Sequence, residues 1–144
     1  MDIVWLSSRV LGSDLCSTTQ IQLANGLASK GHTVDFYSPG NAARNSFNHH
    51  KIERSGRRGF QARSVVRNLH KHLDEINSAD VVLIDWPIFS IASKIKPQVV
   101  LIDRGPPADN RLLAKLQWRP WRRAWSKANK GIVVSSAHSK FVTE

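Results

Sequence analysis

The chain carries one pentapeptide twice: Val-Val-Leu-Ile-Asp stands at 81–85 and again at 99–103. Each copy is an apolar run that ends on a carboxylate. Asp85 is followed by Trp86-Pro87, and Asp103 by Arg104-Gly105-Pro106-Pro107. A carboxylate at the end of a buried strand can orient or deprotonate a hydroxyl of a bound molecule. It can also cap a turn or the next helix, and both readings stay open for each residue. Asp103 and Asp85 are thus the candidates for catalysis. Ser7, Ser8, Ser13 and Ser135 follow other apolar runs and can bind hydroxyls, but none has a paired base that would make it a nucleophile. With Gly12, Asp14, Trp86 and Arg104, these residues outline a candidate acceptor or donor cleft.

Histidine and cysteine chemistry is sparse. His32 follows a helix-ending glycine and reads as structural, and His49-His50 sit in a polar stretch without nearby acids. The single cysteine, Cys16, forms no internal disulfide and no Cys-based metal site, so no metal is expected.

Positive charge is the more distinctive signal. The net +10 is distributed as −1 over residues 1–40, +4 over 41–80 and +7 over 81–144. That asymmetry points to an anionic partner: a phospholipid surface, a phosphate-bearing substrate or nucleic acid. In the helical stretch 110–129, Arg111, Lys115 and Arg122 share a face bordered by Trp118 and Trp125, with Leu113, Leu116 and Trp121 turned inward. Such a helix suits an anionic membrane surface. It suits still better a cover helix whose tryptophans pack on a sheet while its bases stay in water.

The elements that must hold these residues alternate strand and helix. Strands are predicted at 2–6, 33–37, 51–54, 81–84, 98–102 and 132–134. Ser17-Thr18-Thr19-Gln20 has the form of a capping box that starts the first helix, whose apolar face is Ile21, Ala24 and Ala28 flanked by Leu23 and Leu27. Gly31 ends it in the left-handed conformation. Ala62, Val65, Val66, Leu69, Leu73 and Ile76 predict one continuous helix. Residues 88–95 form a short helix, Pro120 kinks or splits the helix over 110–129, and a last helix starts at Ala137 and is interrupted by the terminus, which reads as a fragment. Alternation of this kind implies an α/β fold, a Rossmann-like three-layer α/β/α sandwich with a mostly parallel sheet. The two Val-Val-Leu-Ile-Asp strands read as equivalent, with their aspartates at the edge where such sheets bind ligands.

The stretch from Asp14 to Tyr37 resembles the opening of family 4 glycosyltransferases of the GT-B fold. The resemblance lies in a helix with two leucines four apart, Leu23 and Leu27, closed by Gly31-His32 before the second strand. Ile-Val-Val-Ser-Ser-Ala-His-Ser-Lys-Phe-Val, at 132–142, is similar to the family's strand-Ser-helix segment near the end of its N-terminal domain. The resemblance covers nearly the whole chain. Where many members carry Gly-Gly before the first helix, this sequence has Asp14-Leu15. A glycine loop lets backbone N–H groups approach a phosphate, whereas an aspartate accepts hydrogen bonds from hydroxyls.

The resemblance implies that residues 1–144 are the N-terminal, acceptor-side domain of a retaining, metal-independent enzyme. That enzyme would move a sugar from a nucleotide sugar to an acceptor hydroxyl. The family's donor site lies in a C-terminal domain outside this sequence, so the chain alone is expected to bind the acceptor and to be inactive. The nucleotide sugar enters as substrate, and no cofactor is expected. The expected partners are a glycan or lipid-linked acceptor, the C-terminal domain and an anionic membrane surface. The expected location is cytoplasmic, peripheral on the inner membrane face. The alternatives are a non-catalytic carbohydrate- or anionic-lipid-binding module and a basic nucleic-acid-binding protein. No helix-turn-helix, zinc or RNP-type signature supports the last. The first turn lacks Gly-x-Gly-x-x-Gly, and Ser38-Pro39 replaces the acid that a dinucleotide-binding strand would carry.

Overall fold

The computed structural model describes residues 1–12, 15–42, 45–105 and 111–143, and within these the side chains of all but residues 15, 16, 111–115, 141 and 143. Its strands are β1 (Asp2–Leu6), β2 (Thr33–Ser38), β3 (Asn48–Lys51), β4 (Val81–Asp85), β5 (Gln98–Asp103) and β6 (Lys130–Val133). They form one sheet in the order β3-β2-β1-β4-β5-β6, with every pairing parallel. The connections are α1 (Leu15–Ser29), α2 (Gln61–Leu69), a 3-10 turn (His70–His72), α3 (Leu73–Asn77), a 3-10 helix (Trp86–Lys94) and α4 (Arg111–Lys127), with α5 (Ser136–Thr143) last. This is a Rossmann-like α/β fold.

Parallel strands covered on both faces must be apolar on both faces, which is why β4 and β5 read as unbroken apolar runs. One face packs Val4, Leu6, Val82, Ile84, Val99 and Leu101 against Val65, Leu69, Ile76, Ile88 and Ala124 of the later helices. The other packs Ile3, Trp5, Val34, Phe36, Leu83 and Ile102 against Ala24, Ile21 and Leu27 of α1.

Several expectations change. The capping box does not form. Helix α1 already starts at Leu15, so Ser17 lies within it, and Ser17 Oγ accepts from the Gly12 N–H at 3.1 Å. Gln20 turns its amide across to Ser7 and Asp85 instead. Leu23 is exposed, although its helix buries Ala24. The third strand begins at Asn48 rather than 51, because its polar residues find partners on β2. His50 bonds Asp35 at 2.6 Å and stacks on Tyr37, and His49 meets Ser38 Oγ at 3.0 Å.

The expected continuous helix over 62–76 breaks into α2, a 3-10 turn and α3. At the break Glu75 accepts from Tyr37 Oη and meets His72 Nδ1, each at 3.0 Å. The short helix at 88–95 is a 3-10 helix: Ile88 and Ile91, three residues apart, fall on one buried face. Helix α4 runs through Pro120 unsplit. The carbonyl that Pro120 leaves without a donor belongs to Leu116, which is exposed rather than turned inward. The last strand begins at Lys130, two residues before the predicted start, and α5 one residue before Ala137. Gly31 does take the left-handed conformation after α1, with φ +85°.

The two Val-Val-Leu-Ile-Asp strands are not equivalent. In the register of β4 and β5, Val82 lies opposite Val99 and Asp85 opposite Ile102. The second copy is thus shifted by one residue, and a one-residue shift exchanges the faces of every side chain. Val82 and Ile84 share a face with Val99 and Leu101, whereas Leu83 shares the other with Ile102.

Candidate functional site

Strands β1 and β4 are neighbours whose onward connections run to opposite sides of the sheet. Such a switch point opens a crevice at the carboxyl edge, the usual ligand site of open parallel sheets. A pocket of about 180 Å³ lies there. Ser8 and Arg9 line it from the end of β1, Asp85, Trp86 and Pro87 from β4, and Ile102 and Arg104 from β5. Arg54, which follows β3, completes the wall and donates from Nη1 to the Ser8 carbonyl at 3.0 Å. Three guanidinium-bearing side chains therefore converge on one small cavity, where Asp85 is the only acidic wall residue among the described residues.

Asp85 is held from three sides. Its Oδ2 accepts from Ser7 Oγ at 2.5 Å and from Gln20 Nε2 at 2.8 Å, and its Oδ1 from Trp5 Nε1 at 3.3 Å. Ser7 and Gln20 are fully buried, and Asp85 is 8% exposed. Burial pushes the carboxyl up from its ordinary value. The three donors and the Arg104 charge pull the other way. No side chain caps the 3-10 helix that follows, so Asp85 is not a cap.

In the described part of the β1–α1 loop, three backbone N–H groups have partners within the protein. The Arg9 N–H donates to Ser7 Oγ at 3.1 Å, the Leu11 N–H to the Pro39 carbonyl at 2.8 Å and the Gly12 N–H to Ser17 Oγ. Gly40, at φ +89°, passes so close to Leu11 that a Cβ there would meet its backbone. Among the described residues the pocket's positive charge comes from the side chains of Arg9, Arg54 and Arg104. Ser13 and Asp14 lie outside the described residues.

Asp103 ends β5 but lies apart from this pocket's lining. It is completely buried, and its Oδ2 accepts from Trp121 Nε1 at 2.6 Å and Trp125 Nε1 at 2.7 Å. Its Oδ1 takes the Gly105 N–H at 3.0 Å. His138 of α5 brings Nε2 to 3.2 Å of the same carboxylate, close enough for an ion pair but not aligned as a hydrogen bond. Ser135 caps α5, accepting the His138 N–H at 3.2 Å, and stands away from the pocket.

Helix α4 departs from the expected interfacial arrangement. Trp121 is buried, and Trp125 turns its indole N–H inward to Asp103 rather than outward. Trp118 is half-buried, edge-on to Trp121 with Arg122 over its ring at 5.4 Å. The side chains of Arg111, Leu113 and Lys115 lie outside the described ones. Among the described residues no group of three His, Cys, Asp or Glu can hold a metal ion, and no helix is long and apolar enough to cross a membrane.

Of the residues that line this crevice or bond Asp85, the sequence singled out Ser7, Ser8, Asp85, Trp86 and Arg104, and not Trp5, Arg9, Gln20, Arg54, Pro87 or Ile102. Arg9 follows Ser8 at the end of an apolar run, so the positional rule that singled out the serines would have reached it. Arg54 carries no local signal, because only the pairing of β3 beside β2 brings it to the pocket.

No protein-family model and no curated protein matches the chain. Among solved structures it is similar to the crystal structure of a UGT transferase from Siraitia grosvenorii in complex with UDP, with a TM-score of 0.50 and 11% identity. The likeness covers 74% of this chain and 28% of that one, so the chain spans less than a third of that transferase's length. At that identity the likeness is one of fold, a Rossmann-like α/β architecture.

Proposed function

We propose that residues 1–144 are the acceptor-side half of a glycosyltransferase that moves a sugar from a nucleotide sugar to an acceptor hydroxyl, with retention as the family 4 resemblance implies. The nucleotide sugar is held by a second Rossmann-like half outside these residues, and this chain alone does not turn over. The convergence of Arg9, Arg54 and Arg104 on the switch-point crevice carries the reading. A parallel sheet binds its ligand at that edge, and planar guanidinium groups suit phosphate or carboxylate. The internally bonded N–H groups of Arg9, Leu11 and Gly12 support an acceptor whose anionic group is held by side chains over a diphosphate cradled by those amides.

Asp85 rims the crevice with its carboxylate already taking three donors, and Asp103 is enclosed by tryptophans. That favours positioning over proton transfer for both, and it supports binding without turnover by this chain. A non-catalytic module for the same anionic ligand is the second reading.

Calorimetric titration with glycerol 3-phosphate and with UDP-glucose tests the proposal. Glycerol 3-phosphate is expected to bind, and Arg54→Gln to weaken it at least about tenfold, as removal of a charge-assisted contact does. The chain is expected to release no UDP from UDP-glucose when glycerol 3-phosphate is present. Tight UDP-glucose binding with no affinity for the polyol phosphate sinks the acceptor-side assignment. Turnover by the chain alone overturns the placement of the donor site elsewhere.

A further inference from the structure

A second, larger cavity of about 900 Å³ runs between the 3-10 helix Trp86–Lys94 and α4. Its two walls differ in character. The 3-10 helix contributes Phe89 and Ala92, and α4 contributes Pro120 and Ala124, with the hydroxyls of Ser90 and Ser93 and the indole of Trp86 as the polar side chains on the first wall. Along α4 stand Arg119, Arg123 and Lys127, spaced four apart and hence on one face, all exposed. Among the described residues no acidic one lines the groove. Trp86 and Pro87 belong to the lining of both cavities, so the apolar groove abuts the arginine-lined crevice.

Those two chemistries side by side ask for a molecule with both. A sugar or a nucleotide needs hydrogen-bonding groups along its length, whereas the stretch between Phe89, Ala92, Pro120 and Ala124 presents no polar side chain. A hydrocarbon chain needs none, and it gains by leaving water. We infer that the groove takes the hydrocarbon chain of an anionic lipid acceptor whose phosphate sits at Arg9, Arg54 and Arg104. Arg119, Arg123 and Lys127 then face the negatively charged surface from which such a lipid is drawn. This rests on the acceptor-side reading and names the acceptor's class: the hydroxyl that receives the sugar belongs to a lipid phosphate. It also relocates the anion-facing stripe of α4 from Arg111, Lys115 and Arg122 to the four-spaced row on the groove.

The 144-residue chain is titrated with inorganic phosphate and with butyl, octyl and dodecyl phosphate below their micelle concentrations. Octyl glucoside serves as the neutral amphiphile and a single-stranded oligonucleotide as the rival polyanion. Affinity is expected to climb with chain length, by up to about fourfold for each methylene that becomes buried. Octyl glucoside is expected to bind more weakly than octyl phosphate by roughly tenfold or more, the worth of a charge-assisted phosphate contact. Ser90→Trp places an indole in the groove at an exposed position. It is expected to abolish the gain from chain length and to leave inorganic phosphate binding unchanged. Ser93→Trp repeats the block one turn on and serves where the first variant fails to fold.

Equal affinity for inorganic and dodecyl phosphate overturns the groove assignment while the acceptor-side reading stands. The same holds for a chain-length gain that survives both indole substitutions, and for an oligonucleotide that outcompetes dodecyl phosphate. If no phosphate compound binds in an Arg54-dependent way, the acceptor-side reading fails first and takes this inference with it.

Discussion

The same five residues end in two different chemical environments. In β4, Val-Val-Leu-Ile-Asp places its carboxylate on the α1 side of the sheet, among Trp5, Ser7 and Gln20. In β5 it places the carboxylate on the α4 side, under Trp121 and Trp125. The strands pair with a one-residue offset, so identical sequences present opposite faces. Asp85 therefore sits where β1 and β4 part and borders a crevice, whereas Asp103 becomes an anchor that ties α4 and α5 to the sheet edge. Role follows from pairing register and neighbouring elements rather than from the local sequence.

Removing the anchor is expected to cost most. Asp103→Leu leaves the buried Trp121 and the part-buried Trp125 indole N–H groups without their acceptor, so a loss of about 3–5 kcal/mol is expected. Urea denaturation reads it as a fall in midpoint with little change in slope. A loss below about 1 kcal/mol would mean that the indoles find other acceptors, and it would remove the contrast with Asp85. Gly131→Ala attacks the same anchor from β6. A Cβ at this position would overlap the Trp125 ring, so the indole must swing away from Asp103. Overpacking of this kind costs about 1–3 kcal/mol. Tryptophan emission is expected to shift to the red as Trp125 becomes more hydrated.

The sheet was legible from its composition. Short apolar runs set between helical periods placed β1, β2, β4 and β5 to within a residue at either end, whereas the polar β3 overlaps its predicted span at Lys51 alone and β6 starts two residues early. What was not legible depended on distant pairing. Nothing in Val-Val-Leu-Ile-Asp states which face its aspartate takes, because that is fixed by which residue of β4 lies opposite which residue of β5. Gln20 matched a local capping pattern, yet a buried carboxylate 65 residues away offered its amide a better partner. Trp125 fitted the border of a basic helix until Asp103 claimed its N–H. In the candidate site the residues standing just after a strand were readable, and Arg54 was not.

The pH dependence of stability sharpens the comparison on the Asp85 side. Burial raises the Asp85 carboxyl above its ordinary value of 3.8 in the folded protein, so the folded state holds its proton where the unfolded state has released it. Between these two values stability therefore declines as pH rises, and the contribution of the protonated form is lost above the raised value. Asp85→Asn cannot ionise and is expected to flatten that decline, when stability is compared from about pH 4 to pH 7. A decline that persists unchanged in the variant would assign it to other groups.

Ser7→Ala is the smallest change and tests the cause of that shift. The Ser7 hydroxyl donates the shortest of the three bonds to Asp85, at 2.5 Å, and a donor of this kind favours the carboxylate over the acid. Without it the carboxyl is raised further, so the variant loses more stability at neutral pH than in acid. The expected loss at pH 7 is about 1 kcal/mol, because Gln20 and Trp5 still donate to the same group. Ser7 Oγ also accepts the Arg9 N–H, and loss of that acceptor loosens one side of the crevice. Phosphate affinity is therefore expected to fall slightly along with stability. An equal loss at pH 4 and pH 7 would show that the hydroxyl serves packing and not the charge. Asp85 would then differ from Asp103 in location alone.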